Sequence, residues 1–170
     1  MDRPSDLEPP DQASTDDASA ADDASADDAR RRLREQGIVA VEPDERIGVM
    51  LAPGERVVAV RRAISIERRK DARDPELALR GDLYVTTARL VYLGQFPFDV
   101  PLVEVTEAVL ASGALRLVVG DGRGLEIRTR NPALLRVEIA AVREAARIAA
   151  AGPRPTVAAR QATPPDRADS

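Results

Sequence analysis

The chain has 170 residues, 29 acidic against 25 basic, and neither histidine nor cysteine. Disulfides, cysteine nucleophiles, Ser-His-Asp triads and His/Cys zinc sites are therefore excluded. No run of about 18 apolar residues occurs, so no membrane-spanning helix is expected, and the acidic N-terminal stretch does not read as a secretory leader.

Charge is unevenly spread. Residues 1–29 carry ten acids and one base, a net −9, which leaves 19 acids against 24 bases for the remainder. Length and composition predict one domain with two tails: a disordered acidic Asp/Ala/Ser arm over 1–29, a folded body over 38–151, and a disordered Pro/Ala/Arg tail over 152–170. Asp-Asp-Ala-Ser-Ala recurs at 16–20 and 22–26. Residues 27–36 suit a short, fraying helix with Leu33 as its only large apolar residue and Gly37 as its stop. An arm of this length spans about 30 Å and can reach a basic face of its own body. Every base except Lys70 is arginine, a coding bias of the kind found in G+C-rich bacteria.

Order is expected to begin at Ile38. Pro43 fits a first helical position, with Ile47, Met50 and Leu51 on one face. Ala52-Pro53-Gly54 ends that turn. The strand-like runs follow. Residues 56–67 place Val58, Val60, Ile64 and Ile66 on one face, with Arg62 interrupting. Residues 77–86 alternate Leu77, Leu79, Leu83 and Val85. A tight turn leads into 89–93. Residues 98–102 contain Pro101 and belong at an edge or bend. Residues 105–111 and 114–119 flank Ser112-Gly113. Gly120-Asp121-Gly122-Arg123-Gly124 turns into 125–129, with Leu125 and Ile127 inward. Because that glycine run joins two strands, it reads as a hairpin and not as a phosphate loop. The last element is a helix that Asn131 caps and Pro132 starts, running to about Ala150 before Gly152-Pro153. Leu134, Leu135, Ile139, Val142, Ala145, Ala146 and Ala149 form its apolar face, with Arg136, Arg143 and Arg147 opposite. Glu138 falls on the apolar face, so it is expected to pair with an arginine from a strand end such as Arg62, or to reach the rim.

Seven antiparallel strands followed by one helix make a mainly β, α+β fold. The order resembles the pleckstrin-homology-like superfold, a bent barrel or sandwich capped by a C-terminal helix. It is more similar to GRAM-like and bacterial PH-like domains. The residues that carry the likeness are Leu51-Ala52-Pro53-Gly54-Glu55, Gly81-Asp82-Leu83-Tyr84-Val85-Thr86-Thr87 and Arg89-Leu90-Val91. The chain lacks the tryptophan usual in the helix of eukaryotic PH domains. In lipid-binding members, basic residues of the first loop grip anionic headgroups. The matching segment here comprises Arg61, Arg62, Arg68, Arg69, Lys70, Arg73 and Arg80, interleaved with Glu67, Asp71, Asp74 and Glu76.

Arginine suits phosphate through its planar fork, whereas the interleaved acids blunt the local field. The four aromatic residues do not interleave with the bases, so nucleic acid is not an expected partner. No spacing singles out a nucleophile–base pair, a metal site or a cofactor site. The expected function is non-catalytic: a cytoplasmic binding or scaffolding module for a protein partner. The alternative is an adaptor on the inner face of the membrane that binds anionic headgroups through the basic segment.

Overall fold

The computed structural model describes residues 13–69, 78–120 and 122–151. Its strands are β1 (Val57–Arg69), β2 (Ala78–Thr86), β3 (Arg89–Gly94), β4 (Phe98–Pro101), β5 (Val105–Ala111), β6 (Ala114–Val119) and β7 (Arg123–Arg128). Three helices accompany them, α1 (Ala13–Gln36), α2 (Glu45–Gly48) and α3 (Pro132–Ala151), with a 3-10 turn at Leu102–Glu104. Leu77 and the tail 152–170 lie outside the described residues.

All seven strands form one antiparallel sheet in the order β4-β3-β2-β1-β7-β6-β5. β1 is the longest strand because it serves two ladders: Ser65, Ile66 and Glu67 pair with both β2 and β7. No ladder joins β4 to β5 among the described residues, so the sheet is open and hydrogen bonding does not close the expected barrel. α3 lies over one face. Leu135, Ile139 and Val142 share a core with Ile64, Ile66, Leu83, Leu115 and Ile127, all nearly fully buried. Each such side chain contributes about 1.5–3 kcal/mol of burial.

The opposite face has its own small core. Ile47 of α2 packs with Val57, Tyr84, Val91 and Leu93. The cap of α2 is Asp44, which accepts hydrogen bonds from the Arg46 and Ile47 amides at 3.1 Å each. Pro43 therefore precedes the cap instead of starting the helix. Met50 is exposed and does not share the buried face of Ile47.

Two irregularities overturn the expected alternation in β1. The register slips once between Val57 and Ala59 and again between Arg61 and Ile64. At the second slip Arg62 and Ala63 together oppose Asp82, and Ala63 takes φ +51°. Such a bulge reverses the facing of everything beyond it. The first slip therefore separates Val58 on the α3 side from Val60 on the α2 side, and the second returns Ile64 and Ile66 to the α3 side. The Asp82 carboxylate accepts the Ala63 amide freed by the bulge, at 3.1 Å.

The β2–β3 hairpin ends at the pair Gly81–Gly94, where the Tyr92 ring lies across both glycines. A Cβ on Gly81 would sit 2.5 Å from the Leu93 carbonyl and 2.8 Å from the ring. Only glycine fits there.

The largest departure from expectation is at the N-terminus. Residues 13–29, expected to be disordered, belong to α1, a 24-residue helix that ends at Gln36. Residues 1–12 lie outside the described residues. Alanine favours helix, and the acids and arginines sit at helical spacing: Asp27 pairs Arg30, and Asp28 pairs Arg31 and Arg32. Docking completes the helix. Ala26 and Ala29 are buried against Ala133 and Val137 of α3. The Asp22 carboxylate accepts the Ala133 amide at 2.8 Å and the Leu134 amide at 3.2 Å. Asn131 contributes its carbonyl to α3, accepting from the Leu135 amide, but the side-chain cap comes from Asp22 across 111 residues of sequence.

Candidate functional site

The sequence-derived basic segment separates into three groups. Arg61 points to the α3 side and forms an ion pair with Glu138, both largely shielded from solvent. Arg62 emerges on the α2 side. It donates to Asp44 at 2.5 Å and to Asp82 and the Tyr84 hydroxyl at 2.8 Å each. Its guanidinium also lies 5.3 Å from the Tyr84 ring centroid. The Tyr84 hydroxyl donates onward to Asp44 at 2.8 Å. Glu138 thus finds Arg61, not Arg62, because consecutive strand residues face opposite sides and Arg62 shares the α2 side with Val60. Arg80 is exposed on β2. Arg68 and Arg69 close β1 in register with Leu125 and Gly124. Lys70 and Arg73 lie outside the described residues, as do Asp71, Asp74 and Glu76.

Electrostatics follow from these partners. Hydrogen bonds from Arg62 and Tyr84 hold the Asp44 carboxyl at a pKa of about 2, below its ordinary 3.8. Burial pushes the Glu138 carboxyl above its ordinary value, and Arg61 opposes that rise without cancelling it. Both arginines are held by internal carboxylates, which weakens them as ligand-binding groups.

The motif residues Glu55, Thr86 and Arg89 converge on a second internal cluster. The Thr86 hydroxyl donates to Glu55 at 2.6 Å, and Arg89 Nε donates to the same oxygen at 3.0 Å. Arg89 also ties down the Met50 carbonyl at 2.6 Å, and the Glu55 carboxylate accepts the Ala52 amide at 2.9 Å. The Gly-Glu entry and the Thr-x-x-Arg of the hairpin therefore form a clip that fixes the chain entering β1. A third cluster was missed in sequence: Glu67 and Glu126 are cross-strand neighbours bridged by Arg128, at 3.2 Å and 2.6 Å. Among the described residues no group of three or more acidic side chains is placed to hold a metal ion.

Topology gathers some of the remaining polar groups at one end of the sheet. Register pairs Arg69 with Gly124 and Gly81 with Gly94, so the end of β1, the start of β2 and the β3–β4 and β6–β7 turns share that end. Phe96, 53% exposed, sits in the β3–β4 turn.

A concavity lies against Thr106, Glu107 and Ala108 of β5. It is a groove of about 660 Å³ between β5, α3 and the C-terminal half of α1. Leu33, Ala108, Val137 and Ala140 line it together with Arg34, Arg136 and Arg143. Periodicity placed Arg136 and Arg143 on the polar face of α3. Only the docking of α1 brings Arg34 to them, and no sequence signal marked that. Arg147 is exposed near Arg143, as the periodicity expects, and pairs with Glu144 at 2.6 Å.

No family model matches the chain, and no curated protein matches it. Among solved structures, it is similar to the C-terminal domain of an unknown protein from Leishmania infantum, at 10% identity and TM-score 0.37, over 49% of this chain and 76% of that one.

Proposed function

We propose that the protein is a non-catalytic, cytoplasmic binding and scaffolding module of the PH-like, GRAM-like kind, whose bent sheet and α3 present a surface to a protein partner. The observation that carries this reading is the edge of β5. Six of its seven residues pair with β6 on one side, Thr106 falling at a register slip, and on the other side none pairs among the described residues. An unpaired strand offers a row of amides and carbonyls on which an extended segment can add. A photoreactive residue at Val109, exposed on β5, should cross-link a defined protein in cells, and the same group at Val49, exposed beyond α2, should not. Identical adducts from both positions, or none from Val109, would sink the proposal.

A second reading has one observation in its favour. Exposed Phe96 lies at the end of the sheet where β1 closes at Arg69, and the sequence that follows is basic at Lys70 and Arg73, a combination suited to an anionic membrane. Each base near such a surface contributes about 1 kcal/mol. Sedimentation with phosphatidylserine vesicles at low salt tests it, and Phe96→Ala should then weaken binding. No sedimentation would end this reading. No helix among the described residues is long and apolar enough to cross a membrane.

A further inference from the structure

We propose that the groove beside β5 receives an extended acidic segment of a partner protein, with carboxylates at positions i and i+4 and a small apolar residue between them. This rests on the reading of β5 as the receiving edge. Arg34, Arg136 and Arg143 line the groove with no carboxylate partner among the described residues, and Arg30 is already paired with Asp27. Glu107 is the one acid in the lining. A concave site dominated by one sign of charge focuses field and selects the opposite sign.

Spacing narrows the ligand. Arg136 and Arg143 lie seven residues apart on one helix face, about 10 Å along the axis. Same-facing residues i and i+4 of a strand lie about 13 Å apart, a difference that flexible arginine side chains absorb. Between the two arginines the floor is Val137, Ala140 and Ala141. Alanines leave shallow room there for a small apolar side chain. The groove holds no aromatic residue on which a nucleobase could stack, so the polymer that matches it is a peptide.

The test uses the full chain and a fluorescein-labelled peptide, Thr-Thr-Glu-Thr-Val-Thr-Glu-Thr-Thr, followed by anisotropy at low salt. Binding should be saturable and at least about tenfold weaker for the Arg136→Glu/Arg143→Glu double variant. The Arg136→Lys/Arg143→Lys variant should keep most of the affinity, which controls for folding. Equal affinity for a lysine analogue, or for an isomer with adjacent glutamates, would overturn the acidic, spaced ligand while leaving the Val109 cross-link free to uphold strand addition. Peptides N-methylated at alternate residues separate the two ideas from the other side. Strand addition requires that one of the two methylation registers abolish binding. Full binding by both would remove β5 as the receiving edge, and the proposal with it. A doubling of mass by light scattering that excludes the peptide would show a second copy to be the occupant, and would also overturn the proposal.

Discussion

α3 and α1 are both helices laid against the same body, and they are held by different physics. α3 inserts Leu135, Ile139 and Val142 into the main core, where all three are almost fully buried. α1 has 24 residues, yet its buried apolar anchors are two alanines, Ala26 and Ala29, with Leu33 half-buried beside them. Its most specific tie is the Asp22 carboxylate on the first amides of α3. Length and helix propensity therefore say little about how firmly a helix is attached. Buried volume and a satisfied helix terminus say more.

The contrast is sharpest where apolar volume is removed. Leu135→Ala should cost about 2–5 kcal/mol and lower the midpoint of the whole unfolding transition in urea. A loss confined to the C-terminal helix would break the comparison, because α3 would then be a separable element too. Next comes Arg61→Ala, which leaves Glu138 on α3 without its cation. The penalty should be about 1–3 kcal/mol near neutral pH. Glu138 already titrates above 4.5 in the folded state. A carboxyl with a raised folded pKa contributes its stability below the unfolded value and loses it as pH rises through the folded one. The Arg61→Ala penalty should therefore shrink in acid and grow toward neutrality, as urea titrations across that range would reveal.

Asp22→Ala should cost about 1 kcal/mol, the usual worth of a helix cap. The effect should appear as faster hydrogen exchange at α1 and at the Ala133 and Leu134 amides, with the strand amides unchanged. If strand protection falls equally, α1 belongs to the same cooperative unit as α3. The smallest effect concerns Asp44, which touches neither helix. Its pKa of about 2 is depressed, so its contribution is present above 3.8 and fades as pH falls through about 2. A carboxyl-carbon NMR titration should find that midpoint, and Tyr84→Phe should raise it by removing a donor.

How much of this was readable beforehand depends on the range of the interactions. The β2–β3 and β5–β6 hairpins follow from local chemistry, with β-branched runs around turn residues, and Ser112 and Gly113 take the positive φ that their turn needs. Facing in β1 was not legible, because two bulges change the period at positions that no composition rule marks. Arg62 interrupting the pattern was the only trace. The helical state of residues 13–29 escaped because local propensity alone leaves such a segment marginal, and the contacts that dock it lie on α3, more than a hundred residues away. The basic segment was located in the sequence, but the carboxylates that engage Arg61 and Arg62 come from α3, β2 and the α2 cap. The Gly-Glu and Thr-x-x-Arg motifs were noticed as a likeness, and their geometry makes them a clip on the chain entering β1.

The two lateral strands of the open sheet are unequal. β4 has four residues and ends in Pro101, which has no amide hydrogen to give, whereas β5 has seven. Runaway polymerisation through sheet edges needs two competent sides, so that each added copy exposes a fresh growing tip. With one side blunted, any copy-to-copy stacking through β5 terminates after a single pairing. A chain with a single adhesive margin can pair once without becoming a seed for filaments.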